Sequence, residues 1–194
     1  MKKISMFKIF CLVLICASTE VWSGGAEDDL ISAVLDDDIA DVQKALAKKP
    51  NLDFVNEKGN TALLGAAARG KTEIVRLIID AGATLDLESH SYTALNSSAQ
   101  SGHTEVVKLL LKAGAKIDYQ TQTGSSMSGK TALMAAASRN KTETVKALLE
   151  ANANTALRNS DGETAYDIAK KRGYEDLAIL LKEAEKKPAR SKKR

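Results

Sequence analysis

Apolar residues recur every three or four positions in short segments, and polar residues occupy the positions between them. This spacing places the apolar side chains along one face of a helix. Two such segments, separated by a short turn, form a unit that recurs through most of the chain. In the second helix of two successive units the pattern predicts a buried face made of Ile74, Leu77 and Ile78, and of Val106, Leu109 and Leu110.

The first helix of each unit opens with a similar sequence: GNTALLGAAARG from Gly59, SYTALNSSAQSG from Ser91, GKTALMAAASRN from Gly129 and GETAYDIAKKRG from Gly162. A threonine side chain caps the free N–H groups at a helix start. We therefore expect caps at Thr61, Thr93, Thr131 and Thr164. Glycine or asparagine in a left-handed conformation ends helices, which predicts ends at Gly70, Gly102, Asn140 and Gly173, and for the second helices at Gly82, Gly114 and Asn152.

These residues resemble the ankyrin repeat, which has a period of about 33 residues and opens with Thr-Pro-Leu-His-x-Ala. The resemblance covers roughly residues 27–187. Alanine replaces the proline in all four units, and the histidine is replaced by Leu64, Asn96, Met134 and Asp167. The resemblance implies an all-α ankyrin-repeat solenoid of helix-turn-helix units with β-turn fingers, about five repeats including two caps.

The repeat boundaries fall approximately at 27–58, 59–90, 91–128, 129–161 and 162–187, within a domain spanning 24–187. The first and last units carry polar residues where a further unit would pack, as the ends of a solenoid require. The finger at 118–129 (DYQTQTGSSMSG) contains extra residues. It is either tolerated loop length or a longer finger that reaches a partner.

Residues 1–23 are typical of a signal peptide. Lys2, Lys3 and Lys8 accompany the apolar run IFCLVLICA, and small residues follow from Ser23. An uncleaved membrane anchor is the alternative, although the run is short for a hydrocarbon core of about 30 Å. Both cysteines, Cys11 and Cys16, lie in this leader, so we expect an exported, periplasmic chain without thiols.

Charge is unevenly distributed around a net value of +3. Residues 24–58 carry nine acidic and four basic residues, whereas residues 182–194 carry seven basic and two acidic residues. The field is too weak overall to predict nucleic acid as a partner. Residues 188–194 are expected to form a basic, disordered tail.

The sequence offers little catalytic chemistry. It contains no phosphate loop, dinucleotide fingerprint or G-x-S-x-G elbow. His103 lies where the resemblance implies a structural histidine, and His90 lies in a finger without a second histidine or a cysteine nearby. We therefore expect no enzyme, no cofactor and no metal site.

The resemblance implies that the fingers and the exposed sides of the first helices bind another protein. The predicted partner-binding residues are Lys58, Asn60, Arg69, His90, Tyr92, Gln100, Met127, Lys130, Arg139, Glu163 and Arg172. The same surface positions include Ser89 and Ser138. Three of the arginines suit carboxylates on a partner, and Tyr92 suits a contact with large buried area.

The expected fold and the predicted signal peptide together favour an exported binding module. We expect this module to be monomeric on its own and not to be inserted in the membrane once the leader is removed. We expect it to inhibit or protect against an envelope enzyme or toxin with an acidic patch, such as a cell-wall hydrolase, as an immunity or self-protection factor. The alternatives are an assembly or stress-support factor for a periplasmic enzyme, and an ankyrin effector acting on host proteins.

We expect the exported protein to begin near residue 24 and to be recovered from the periplasm. N-terminal sequencing of the exported form tests this expectation. An intact Met1 on a soluble cytoplasmic protein would contradict it, and an intact leader in the membrane fraction would favour the anchor.

Overall fold

The computed structural model describes residues 25–122 and 129–186. The predicted signal peptide (1–23), the centre of the long finger (123–128, with Met127) and the basic tail (188–194) lie outside the described residues. Within the described part the chain forms ten helices in five consecutive pairs: α1 (Gly25–Asp36), α2 (Ile39–Ala47), α3 (Ala62–Ala68), α4 (Thr72–Asp80), α5 (Ala94–Ser101), α6 (Thr104–Ala113), α7 (Ala132–Ala137), α8 (Thr142–Glu150), α9 (Ala165–Lys171) and α10 (Glu175–Glu185).

The helix pairs stack in chain order. The first helices form one continuous row, in which α1 contacts α3, α3 contacts α5, α5 contacts α7 and α7 contacts α9. The second helices form a parallel row from α2 to α8. Within the described residues, 25–122 and 129–186, β pairing consists of one isolated antiparallel bridge, formed by Ser89 and Tyr92. The predicted all-α solenoid of five two-helix units is confirmed.

The predicted threonine caps are confirmed in all four units. Each hydroxyl accepts a hydrogen bond from the backbone N–H three residues later, over 3.1 to 3.3 Å. In the last unit the Asp167 carboxylate also accepts from the backbone N–H of Thr164, at 2.9 Å. That backbone hydrogen bond lowers the pKa of Asp167. Asp167 therefore completes a capping box at the position where the other units carry Leu, Asn or Met.

The predicted helix ends are also confirmed. Gly102 ends α5 with a φ of 87°, and Asn140 follows α7 with a φ of 54°. Asparagine is among the few residues other than glycine that adopt this left-handed region readily. In the first unit Asp37 takes the same conformation, with a φ of 62°. The first unit therefore follows the backbone path of the others despite its different sequence.

The buried face of the second helices differs from the predicted one by one position. Leu77 and Leu109 are only half-buried, whereas Val75 and Val107 are fully buried. The prediction was therefore wrong for the two leucines. In α4, α6, α8 and α10 the core face follows the positions i, i+1 and i+4, as in Val106, Val107 and Leu110. Leucine at i+3 lies at the edge of that face and packs against its rim.

A row of aspartates fixes each turn to the next. Asp53 accepts a hydrogen bond from the backbone N–H of Thr84 at 3.0 Å, and Asp86 accepts from Lys116 at 2.9 Å. Asp118 accepts in the same way from Asn154 at 2.9 Å. Each carboxylate satisfies a backbone donor that would otherwise need water. These contacts set the spacing of successive units on the side of the turns.

Replacing Leu110 with alanine should reduce the free energy of unfolding by about 2–5 kcal/mol, because its side chain is completely buried between helices and would leave a cavity. Leu109→Ala should cost clearly less, since Leu109 is partly exposed. Urea unfolding followed by circular dichroism measures both. Lys108→Ala, on the exposed side of α6, is the control and should change stability by less than about 0.5 kcal/mol. Equal losses for Leu109 and Leu110 would contradict this account of the core.

Candidate partner-binding surface

The predicted contact residues lie on both flanks of the row of first helices. Most lie in one of two columns. One precedes the first helix of each unit and contains Asn60, Tyr92, Lys130 and Glu163, and the other follows it and contains Arg69, Arg139 and Arg172. We call the surface between these columns the groove. All of these residues are exposed or half-buried, as are Lys58, His90 and Gln100. Met127 lies outside the described residues.

Four predicted residues line a single cavity in the groove. Asn60, His90, Tyr92 and Gln100 surround a space of about 250 Å³ between α3 and α5. Its remaining lining comes from Gly59, Leu64, Ala68, Ser89 and Ser97. The structure thus brings together residues from two fingers and two helices that are separated in sequence. We call this space the His90 cavity.

One side of the His90 cavity is built from two interlocked fingers. Ser89 and Tyr92 exchange backbone hydrogen bonds of 2.9 Å, which holds His90 in a left-handed conformation with a φ of 48°. The imidazole ring of His90 then lies against Gly59 of the preceding finger, where any β-carbon would overlap it. The Ser89 hydroxyl donates to the Gly59 carbonyl oxygen at 2.7 Å. This side of the cavity is therefore formed before any partner arrives.

The other end of the groove carries converging cations. Burial lowers the pKa of Lys130, and the positive charge of Arg172 lowers the pKa further. Arg139 acts in the same direction, while Asp161 and Glu163 oppose both arginines. Burial is therefore the main cause of the lowered pKa of Lys130, and the charges of two arginines and two carboxylates act on its ammonium group in addition.

Glu163 is paired with a further cation of the same region. Its carboxylate is engaged by the ammonium group of Lys171 at 2.6 Å, a hydrogen bond that lowers the pKa of Glu163. Asn159 donates to the same carboxylate at 3.2 Å. We call Lys130, Arg139, Lys171 and Arg172 the basic cluster. It contains four cations, faced by Glu163 and Asp161.

The second helices show a different charge arrangement. On α4, α6 and α8 a glutamate is paired with the cation three residues later: Glu73 with Arg76 at 3.5 Å, Glu105 with Lys108 at 2.9 Å and Glu143 with Lys146 at 2.8 Å. Each helix therefore neutralises these charges itself. In the basic cluster, by contrast, four cations are gathered against two carboxylates.

Arg69 does not join the other arginines. Its guanidinium donates to the backbone carbonyl oxygen of Leu35 at 2.8 Å, which ties the second unit to the first. Two further surface expectations were wrong. Ser89 and Ser138 are buried, and the Ser138 hydroxyl donates to the Ala135 carbonyl oxygen at 2.8 Å within its own helix.

Two amides that position the basic cluster were missed by sequence reasoning. Asn96 is fully buried, and its amide nitrogen donates to the backbone carbonyl of Lys130 at 3.0 Å. Gln120 donates to the backbone carbonyl oxygens of Gly129 and Arg158, both at 2.8 Å. Together these hydrogen bonds hold the backbone at Lys130 in place. The available signal was a polar Asn96 at a position that carries leucine or methionine in neighbouring units.

The remaining titratable groups have structural contacts. His103 lies beside Gly70, and its Nε2 is 3.1 Å from the carbonyl oxygen of Ala68 in the preceding unit, in line with the structural role expected for it. Among residues 25–122 and 129–186, no three His, Cys, Asp or Glu side chains are grouped so as to hold a metal ion. No helix in those ranges has the length and apolar character needed to cross a membrane.

Comparison with known families gives one match. A family model described as ankyrin repeats (3 copies) matches residues 30–121 and, a second time, residues 118–191. The two matches together include most of the chain and all of the groove. A search of curated proteins finds no match.

We expect the pKa of the Lys130 ammonium group to lie below the ordinary lysine value of 10.5. Arg172→Ala should move that pKa upward, because a repelling charge is removed. NMR titration of isotopically dimethylated lysines measures the effect. Lys108, whose pKa is raised by its hydrogen bond to Glu105, is the internal control. A Lys130 pKa equal to or higher than the pKa of Lys108 would contradict the burial of Lys130 beside other cations.

Proposed function

Because the chain belongs to the ankyrin-repeat family, whose repeats form protein–protein interaction modules, we propose that it binds an acidic surface of another protein through the groove. The observation that carries the proposal is the basic cluster. Burial lowers the pKa of Lys130, the charges of Arg172 and Arg139 lower it further, and both arginines are exposed. A carboxylate-rich partner would bring opposite charges to these cations.

The chemistry of the cluster suits carboxylates. Arginine presents a planar fork of donors that matches a carboxylate in two hydrogen bonds, and Arg139 and Arg172 are both exposed. Lys130 is half-buried, so its charge is less screened than that of a fully exposed lysine. Complementary charge of this kind speeds association and excludes partners of the wrong sign.

The protein acts, in this proposal, by occupying its partner and not by catalysis, without a cofactor or metal. The groove is supported by hydrogen bonds between units, such as those of Ser89 and Asn96. A preformed surface loses little conformational freedom on binding, which favours affinity. A module of this kind inhibits an enzyme by covering its substrate cleft.

The proposed place of action is the periplasm. The basic and apolar pattern of residues 1–23 supports export. In that compartment a bound and inhibited partner would be an enzyme or toxin that endangers the cell's own envelope, for example a cell-wall hydrolase. The protein would then serve in immunity or self-protection.

Exchanging Arg139 and Arg172 for glutamate should weaken binding to the partner by several kcal/mol, because two attractive contacts become repulsive. The wild-type protein, immobilised and exposed to envelope extract, supplies the partner. Calorimetry with the captured protein then measures affinity. Neither arginine is buried, so the fold should persist, which circular dichroism verifies.

The matched control is Arg76→Glu with Lys108→Glu on the outer helices, which reverses the same number of charges outside the groove. It should leave affinity nearly unchanged. If the outer variant loses binding while the groove variant retains it, the groove is not the binding face. If the captured protein has no acidic surface, the proposed recognition is wrong.

A further inference from the structure

The His90 cavity and the basic cluster lie on the same groove but differ in chemistry. The cavity lies between the second and third units and contains aromatic, amide and apolar groups. The cluster lies between the fourth and fifth units and contains cations. Between them, Ser101 of the third unit is exposed and uncharged. One ligand that fills both must combine two kinds of side chain.

We infer that the groove takes one extended segment of the partner, which places a tyrosine side chain in the His90 cavity and two or more carboxylates at the basic cluster, five or six residues away. This inference rests on the proposed function, because it specifies the ligand of the same groove.

The composition of the cavity favours an aromatic side chain with a polar tip. Leu64 and Ala68 supply apolar surface, and His90 and Tyr92 supply rings on which another ring packs. Asn60, Ser97 and Gln100 bring amide and hydroxyl groups to the same space. Tyrosine combines a ring with a hydroxyl group that donates and accepts.

The size of the cavity favours a single side chain. Its volume of about 250 Å³ is below the roughly 300–1,000 Å³ of pockets that enclose drug-sized molecules. Its walls are fixed by the contact of His90 with Gly59 and by the Ser89–Tyr92 bridge. A side chain that enters it therefore replaces water in a preformed space, as anchor residues do at protein interfaces.

The distance between the two sites sets the spacing of the ligand. The cavity and the cluster are separated by two steps along the row of first helices, from the α3–α5 contact to the α7–α9 contact. Packed helices lie about 8–10 Å apart, so two steps span roughly 16–20 Å. An extended chain covers about 3.3 Å per residue, so five or six residues bridge the gap.

The charges of the groove fit this occupant. Four cations converge on the groove at the fourth and fifth units, so the carboxylates of an acidic segment bound along it would be held there. Its uncharged end would then lie over the second and third units, where the His90 cavity opens.

Synthetic peptides test the spacing directly. The probe is a fluorescein-labelled peptide with one tyrosine, a five-residue Gly-Ser spacer and three aspartates, added to the purified exported protein at low salt. Fluorescence polarisation measures affinity. We expect tyrosine-to-alanine replacement in the peptide, and shortening of the spacer to one residue, each to weaken binding at least tenfold.

Three protein variants separate the sites. Ala68→Met fills the cavity from a half-buried position and should abolish the advantage of the tyrosine peptide over the alanine peptide. Arg139→Glu with Arg172→Glu should weaken both peptides. Tyr92→Ala gives a second cavity variant, and the urea midpoint of each protein establishes that it is folded.

The outcomes distinguish this inference from the proposed function. If both peptides bind equally and independently of spacer length, while the Arg139 and Arg172 variant weakens them, the tyrosine site is wrong and the acidic-partner proposal stands. If neither peptide binds, the extended-segment inference is overturned. The capture experiment with envelope extract then tests the proposed function independently of the peptides.

Discussion

The structure depends on contact between neighbouring units, because no single helix pair buries its own apolar residues. From the second unit onward the first helices are short, and α7 has only six residues. Helices of this length are unstable alone in water. They persist because alanines such as Ala136 and Ala137 are completely buried against adjacent units. The polar replacements in the outermost units, such as Lys170 after the buried Ala169, mark where this stacking ends.

Hydrogen bonds between units convert this stack into a surface of defined shape. Asp53, Asp86 and Asp118 each bind a backbone N–H in the following turn. Asn96 fixes the backbone at Lys130, and Ser89 fixes one finger on the preceding one. Apolar packing alone is not directional, whereas these bonds specify which groups face each other. The His90 cavity and the basic cluster are consequences of that register.

The distribution of charge gives the surface its direction. On α4, α6 and α8 a glutamate pairs with the cation one turn later, so these pairs add little field. At the C-terminal end of the groove, cations from two units meet, and Glu163 is already occupied by Lys171. Four cations therefore meet at one end of the groove, whereas aromatic, amide and apolar groups line the His90 cavity near the other end. In the proposed complex this difference would favour one orientation of the bound segment.

The sequence by itself determined the five helix pairs, the threonine caps and the left-handed helix ends. These features depend on residues within one turn of each other, such as Thr131 with the N–H of Met134. The tertiary structure decided which distant residues meet. It placed Lys130 beside Arg172, joined Arg69 to Leu35 and left Leu109 at the rim of the core. Local backbone preferences depend on adjacent residues, whereas the proximity of side chains from different units depends on how those units pack.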